Sequence, residues 1–398
     1  MKSLIFGENT SLPLALRSLK LLRHGQIRFH GVFNGCVGEA SDLYAEIEVH
    51  DRRLLELVFK NGVLGAAEGY INGYWSSEHL VELIRILARN REILDRMNQH
   101  PLAQASQWLL KAWYQSRKNS LSGSRKNIAE HYDLSNDFFK LFLDDSLMYS
   151  SAVFKDPNMS LEQASELKKE LICQKLQLKP LDHLVEIGSG WGGFAIYAAQ
   201  NYGCKVTTIT ISQAQYDEAV ARVQAAGLAH RVNVQLQDYR TLEGKFDKLV
   251  SIEMIEAVGA DYLPTYFNKC RELLKPNGLA LIQAITIEDA RYEKALKTVD
   301  YIKRYIFPGS FIPCISVLTQ TASEQKLRLK QLDDIGQSYA LTLYHWRKRF
   351  LTAREQVLAL GFDESFIRMW DFYLCYCEGG FREGVISDVH LLFEASAY

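Results

Sequence analysis

The stretch Glu186-Ile187-Gly188-Ser189-Gly190-Trp191-Gly192-Gly193 holds the residues best suited to bind a nucleotide-like ligand. It follows the short apolar run Leu184-Val185 and precedes a helix predicted to about Tyr202. A glycine turn between strand and helix lets a ligand approach the backbone closely, and the helix N-terminus presents N–H groups without intrahelical partners. Nicotinamide, flavin and adenosylmethionine folds all use such turns, and a tight turn without any ligand is the plain alternative. Two details point away from dinucleotides. The spacing is G-x-G-x-G-G rather than G-x-G-x-x-G, and an acid, Glu186, stands just before the first glycine. A carboxylate there can hold the amino group of a methionine moiety, which suits S-adenosylmethionine. Asp238-Tyr239 fits an adenine clamp, a carboxylate toward the exocyclic amine and an aromatic face for stacking. An ordinary solvated loop fits that pair equally well.

These residues need a scaffold, and the pattern around them supplies one. Leu184–Ile187, Lys205–Thr210, Val232–Leu236, Lys248–Ile252 and Leu279–Ile285 read as strands, with helical stretches between them such as Ser212–Ala226. Strand–helix alternation implies right-handed crossovers and a doubly wound parallel α/β sheet. Upstream, 27–33 and 43–49 read as strands, the second alternating apolar and charged residues. Helical spacing follows from Leu54 to about Met97, with Leu80, Leu83, Ile84 and Leu87 on one face. A further helix is predicted over Pro101–Arg117, followed by a polar, glycine-containing stretch without acids. The expected division is an N-terminal domain over 1–117, a linker over 118–127 and a second domain over 128–398.

Composition narrows the function. With 46 Lys plus Arg against 47 Asp plus Glu, the formal charge of the 398 residues is -1, which argues against a nucleic-acid binder coated in base. The charge is unevenly spread: residues 1–126 hold 17 basic and 12 acidic residues, a local excess of +5. Seven scattered cysteines, odd in number and without a C-x-x-C pair, read as free thiols of a reducing cytoplasm. No Cys/His cluster suggests zinc. Glu8 breaks the N-terminal apolar start too early for a signal peptide, and no run of about 18 apolar residues could span a bilayer.

Several segments together resemble one family. They are His131-Tyr132-Asp133-Leu134-Ser135-Asn136-Asp137-Phe138-Phe139, Met148-Tyr149-Ser150-Ser151-Ala152-Val153-Phe154, Ser251-Ile252-Glu253-Met254-Ile255-Glu256-Ala257-Val258-Gly259, Tyr305-Ile306-Phe307-Pro308-Gly309 and Ile335-Gly336-Gln337-Ser338-Tyr339. The set, spread over roughly 125–395, resembles the cyclopropane fatty acid synthases, adenosylmethionine-dependent enzymes that alkylate double bonds in lipid acyl chains. The resemblance implies a Rossmann-like class I methyltransferase domain behind a smaller α+β domain of lipid-binding type. It implies that Tyr132, Tyr149 and Ser150 close over the cofactor, that Gly188 and Gly190 line its methionine and ribose side, and that Thr210, Ile211 and Gln215 hold the ribose region. Asp238 and Tyr239 would meet the adenine. It further implies a bicarbonate ion beside the reacting carbons, with ligands at Glu256, Tyr339 and backbone groups near Ser151, Ile252 and Ile285. Two positions depart from many members: serine replaces cysteine at Ser189 and Ser151. A third, Gln283, stands where many members place a histidine on the bicarbonate, and glutamine cannot titrate. A branch of the family resembles this chain at Glu253–Ala257 and Leu281–Gln283.

The chemistry so implied is demanding. An alkene is a poor nucleophile, so the methyl donor must be held in line. The resulting carbocation must be shielded from water and must lose a proton for a ring to close. Tyr149, Phe154, Tyr301, Tyr305 and Tyr339 offer aromatic faces for the cation, and the bicarbonate would be the base. The expected product is a cyclopropane on a membrane phospholipid; a methyl-branched or methylene product, methylation of a small amine, and a lipid-binding protein with a degenerate site are the alternatives. Trp108, Trp113, Lys111, Arg117, Lys118, Arg125 and Lys126 form a tryptophan-plus-base segment suited to an anionic lipid surface, or else an interdomain helix and linker. The expected location is therefore cytoplasmic and peripheral to the inner face of the membrane, and the resemblance points to a homodimer.

Overall fold

A computed structural model describes residues 13–97, 107, 108, 110, 111, 114 and 134–396, without the side chains of 14, 15, 96 and 97. The linker 118–127 and Tyr132 lie outside the described residues. The chain divides into two compact units.

The first unit takes residues 1–112 together with 361–383. Its sheet has the order β2-β1-β3-β4, from β1 (Gly25–Gly31), β2 (Gly35–Glu39), β3 (Tyr44–Val49) and β4 (Trp75–Ser76). Alternation along β1 and β3 buries Ile27, Phe29, Ala45, Ile47 and Val49 on one face, as their period of two requires. Helix Leu80–Arg89 buries Leu80, Val81, Leu83, Ile84 and Ile86. Ile86, not Leu87, completes that stripe. The long helix Glu364–Arg382 packs on this helix and on Val63–Ile71. Tyr70 donates to Asp371 at 2.8 Å, while Arg85 and Arg89 donate to the two carboxylate oxygens of Glu383 at 2.6 and 2.7 Å. The contiguous 128–398 division expected from sequence is therefore interrupted, because the apolar stripe of this late helix is buried among N-terminal residues.

The second unit spans 113–360 and 384–398. Its seven-stranded sheet has the order β10-β11-β9-β8-β5-β6-β7. The strands are β5 (His183–Ile187), β6 (Lys205–Thr210), β7 (Val232–Leu236), β8 (Phe246–Ile252), β9 (Leu274–Ile287), β10 (Leu327–Asp334) and β11 (Ile386–Ala395). β5 to β9 are mutually parallel, and β11 joins β9 and β10 antiparallel. Successive residues of one strand feed opposite cores. Val185, Leu249 and Ile282 pack with Phe267 and Leu318 on one face, whereas Leu184, Val250 and Leu281 pack with Phe194 and Ile172 on the other. Burial on both faces explains why these strands read as continuous apolar runs. The doubly wound α/β class is as expected; β10 and β11 are additions.

Candidate active site

The sheet brings two clusters together at the C-terminal ends of its parallel strands, where the loops of an open α/β sheet form their crevice. The first is the glycine turn. Gly188, Gly190 and Gly192 all have left-handed backbones, with φ of 96, 47 and 83°. The N–H groups of Gly188 and Ser189 donate to the Ile209 carbonyl at 3.1 and 2.8 Å, which ties the turn to β6. A Cβ at Gly190 would meet nothing within 4 Å, so the turn is open on that side, while one at Gly188 would lie 3.1 Å from Met254. That open, side-chain-free cradle fits a ligand laid against the backbone.

Glu186, on β5, is buried and accepts a hydrogen bond from the Thr208 hydroxyl at 2.5 Å. Burial pushes its carboxyl up to about 8, against the pull of that bond. At the end of β6, Thr210 donates to the Gln215 side chain at 2.9 Å, and Ser212 caps the following helix by accepting from the Gln215 N–H at 3.3 Å; Ile211 is half-buried between them. Asp238 follows β7. Its carboxylate is gripped in two-pronged fashion by Arg240, Nε to Oδ1 at 2.8 Å and Nη2 to Oδ2 at 2.7 Å, a partner the sequence reading did not foresee. Tyr239 stands edge-on to Tyr266 with centroids 5.6 Å apart.

The second cluster centres on a residue the sequence reading passed over. Glu253 follows β8 with a φ of 47°, a left-handed backbone that non-glycine residues adopt at a cost. Its N–H donates to the Gln283 carbonyl on β9 at 2.9 Å. Three donors converge on its carboxylate: the Tyr339 hydroxyl at 2.7 Å, the Ser151 backbone N–H at 2.7 Å and the Gln283 side-chain amide at 2.8 Å. The same Gln283 amide donates to Asp388 of β11 at 2.7 Å. His390 sits 3.2 Å from the Gln283 carbonyl oxygen through Nε2 and 2.8 Å from Lys175 Nζ through Nδ1. Lysine can only donate, so His390 accepts at Nδ1 and donates at Nε2. Its pKa, pushed down to about 3 by burial and by the charges of Lys175 and Lys168, agrees with a neutral ring. That tautomer turns the Gln283 NH2 toward the two carboxyls.

Burial raises the pKa of both Glu253 and Asp388. Lys168, Tyr339 and Ser151 draw Glu253 back down, whereas the Glu253 charge drives Asp388 further up. Of the pair, Asp388 keeps the proton and Glu253 the charge. Lys168 is buried, held to about 8 by desolvation, and donates to the Ser150 hydroxyl at 2.5 Å. Ser150 thus holds a buried cation. Glu256 stands apart from the convergence: its Oε1 accepts from the Ile285 N–H at 2.6 Å, its buried Oε2 has no partner among the described residues, and burial followed by the Glu253 charge pushes it up to about 8. Ile252, paired with Gln283 across β8 and β9, places its backbone beside Glu253.

Aromatic rings border the cluster. Tyr149 packs on Phe139 and Trp346 at 5.1 and 5.3 Å, and Tyr339 meets the same Trp346 at 6.1 Å. Phe154 stacks instead on His345, and Tyr301 lies tilted against Tyr305. A family model described as Mycolic acid cyclopropane synthetase matches residues 119–391. The chain belongs to that family. This cyclopropane synthetase family member is 37% identical over 341 residues to "Tuberculostearic acid methyltransferase UfaA1" of Mycobacterium tuberculosis, covering 84% of this chain and 79% of the relative. It is 35% identical over 342 residues to "Cyclopropane-fatty-acyl-phospholipid synthase" of Escherichia coli K12, covering 85% of each. Among solved structures it resembles the cyclopropane synthase MmaA2 of Mycobacterium tuberculosis, with a TM-score of 0.64 and 27% identity over 68% of this chain and 98% of that one. It also resembles the mycolic acid cyclopropane synthase CmaA1 complexed with SAH and CTAB, with a TM-score of 0.63, 28% identity and the same coverage. The family member is thus an S-adenosylmethionine-dependent methyltransferase of the cyclopropane-fatty-acyl-phospholipid synthase type, with a class I fold.

Sequence reasoning missed Glu253, Asp388, Lys168 and Trp346. An acid and a histidine inside the apolar run Val385-Ile386-Ser387-Asp388-Val389-His390-Leu391-Leu392 were the available signal for β11. Nothing in the helix Leu161–Lys175 marks Lys168 as buried.

Proposed function

We propose that this enzyme methylates a cis double bond in an unsaturated phospholipid acyl chain and closes the added carbon into a cyclopropane. The observation that carries the reading is a half-buried carboxyl, Glu253, held by three hydrogen-bond donors on the same sheet edge as an open glycine turn and bordered by Tyr149, Tyr339 and Trp346. Bound S-adenosylmethionine supplies an electrophilic methyl group. In this reading Gly188, Gly190 and Glu186 hold its methionine part, Thr210, Ile211 and Gln215 its ribose side, Asp238 and Tyr239 its adenine, with Tyr132, Tyr149 and Ser150 nearby. The aromatic rings exclude water and face the cation without attacking it.

The bicarbonate ion that the resemblance implies does not fit. Tyr339, Ser151 and Gln283 already donate to Glu253, and Glu256 turns one oxygen to Ile285.

The segment 108–126, with its exposed, helical Trp108 and with Lys111, Arg117, Lys118, Arg125 and Lys126 and no acid, supports docking on anionic lipid from the cytoplasmic side. Purified protein, S-adenosylmethionine and vesicles of unsaturated phospholipid are expected to yield acyl chains heavier by one CH2, faster on anionic than on neutral vesicles. Fragmentation separates ring from methylene, and unmodified chains on both vesicle types remove the reading. A methyl-branched or methylene product is the second reading, favoured by the relative named for tuberculostearic acid.

A further inference from the structure

We propose that Glu253 is the catalytic base of this enzyme, its own carboxylate doing the work for which a bound anion would otherwise be needed. The inference rests on the function proposed above. It starts from the backbone: the φ of 47° at Glu253 is a strained conformation, and it lies at the point where β8 ends. Strain of this kind persists only where surroundings over-determine it, and here three donors do so, from Tyr339, Ser151 and Gln283. They fix the half-buried carboxyl and favour its charged form. Each neighbouring acid is unsuited to the role. Glu256 is neutral near pH 7, pushed up to about 8, and Asp388 is buried and holds the proton of its pair. Lys168 supplies positive charge close by without a covalent or proton-accepting role, since it already donates to Ser150.

The alkene π pair forms the new carbon–carbon bond as the methyl–sulfur bond breaks, its pair remaining on sulfur. The adjacent carbon is left cationic. A Glu253 oxygen takes one proton from the added methyl group, and the freed C–H pair closes the ring onto the cation. If a hydride first shifts between the two former alkene carbons, the same proton loss gives a methylene group. One carboxylate therefore serves both outcomes, and the fate of the cation is set by its lifetime beside the aromatic rings.

Glu253→Gly tests the assignment, because glycine adopts a φ of 47° without penalty and opens space among the three donors. Wild-type turnover is expected to be the same in bicarbonate-free buffer and with bicarbonate added. Without bicarbonate, Glu253→Gly is expected to lose about a hundredfold or more in turnover, and added bicarbonate should restore part of it. Calorimetry should detect bicarbonate binding to Glu253→Gly and none to the wild type. Glu253→Gln, which fills the space but cannot take a proton, is expected to stay slow with or without the ion while melting near the wild-type temperature. Bicarbonate-dependent wild-type turnover, or a Glu253→Gln variant as fast as wild type, overturns the proposal. If no lipid is modified by any variant, the proposed function fails, and calorimetry still decides: equal bicarbonate heats for wild type and Glu253→Gly overturn the placement of the carboxylate, and heat confined to the variant sustains it.

Discussion

Affinity for S-adenosylmethionine is expected to rise about tenfold per pH unit across the range below pH 8, and Glu186→Gln is expected to abolish that slope. Glu186 is buried on β5 with the Thr208 hydroxyl as its hydrogen-bond donor, and burial lifts its carboxyl from 4.5 to about 8. The free protein therefore holds a proton there at pH 7. An ammonium group beside it favours the carboxylate, so the complex carries one proton fewer than the free protein between the two pKa values. Loss of a proton on binding makes binding stronger as pH rises, levelling above about pH 8. From pH 8 to pH 6 the expected weakening is about fiftyfold, since half of the carboxyl is already protonated at pH 8. Titration calorimetry in two buffers of different ionisation heat should show one proton released per site at pH 7. Equal affinities at pH 6 and 8 would remove Glu186 from contact with the amino group. The same shift acts on the free protein with the opposite sign: its folded state binds the extra proton, so stability falls as pH rises from about 4.5 to about 8 and Glu186→Gln flattens the fall.

The sequence carried the scaffold of that site well and its charge arrangement poorly, for separate physical reasons. Strands buried on both faces announce themselves as apolar runs, as in β5, β8 and β9, whereas the edge strand β7, Val-Asn-Val-Gln-Leu, shows itself by alternation. β10, with the sequence Leu-Arg-Leu-Lys-Gln-Leu-Asp-Asp, is an edge strand whose solvated residues read as loop. β11 was hidden because Asp388 and His390 interrupt its apolar run, and they are the residues that orient Gln283. Tyr339, Gln283 and Ser151 were legible as a set through family resemblance. What they hold was not, since it depends on the left-handed turn at Glu253, which composition does not reveal. Spacing alone gave Glu253 and Glu256 equal standing three residues apart. Only the backbone sends one carboxylate to three donors and the other to the Ile285 N–H. Likewise, the partner of helix Glu364–Arg382 is more than 270 residues away in sequence, beyond any local pattern.

That long-range partnership makes Gly379 a position of large effect. A Cβ placed there would lie 2.6 Å from Ile84 Cγ2 and 2.9 Å from Ile84 Cβ, with the Arg85 backbone nitrogen at 3.4 Å. Ile84 is buried in the same stripe as Leu80 and Leu83, so it has little room to give. Gly379→Ala is expected to cost about 1–3 kcal/mol despite the better helix propensity of alanine, and Gly379→Val more. Separating the two helices would also pull Glu383 from Arg85 and Arg89. The helix runs through Gly384 directly into β11, which carries Asp388 and His390. The glycine turn instead hangs on β5 and β6. Gly379→Val is therefore expected to lower the melting temperature and turnover sharply while leaving S-adenosylmethionine affinity nearly intact. Ile84→Ala in the same chain makes room for the new methyl groups, so the double variant should recover stability relative to Gly379→Val, a coupling that additive damage would not produce. A Gly379→Val protein that melts and turns over like wild type would show that the close approach of the two helices is not what holds the first unit together.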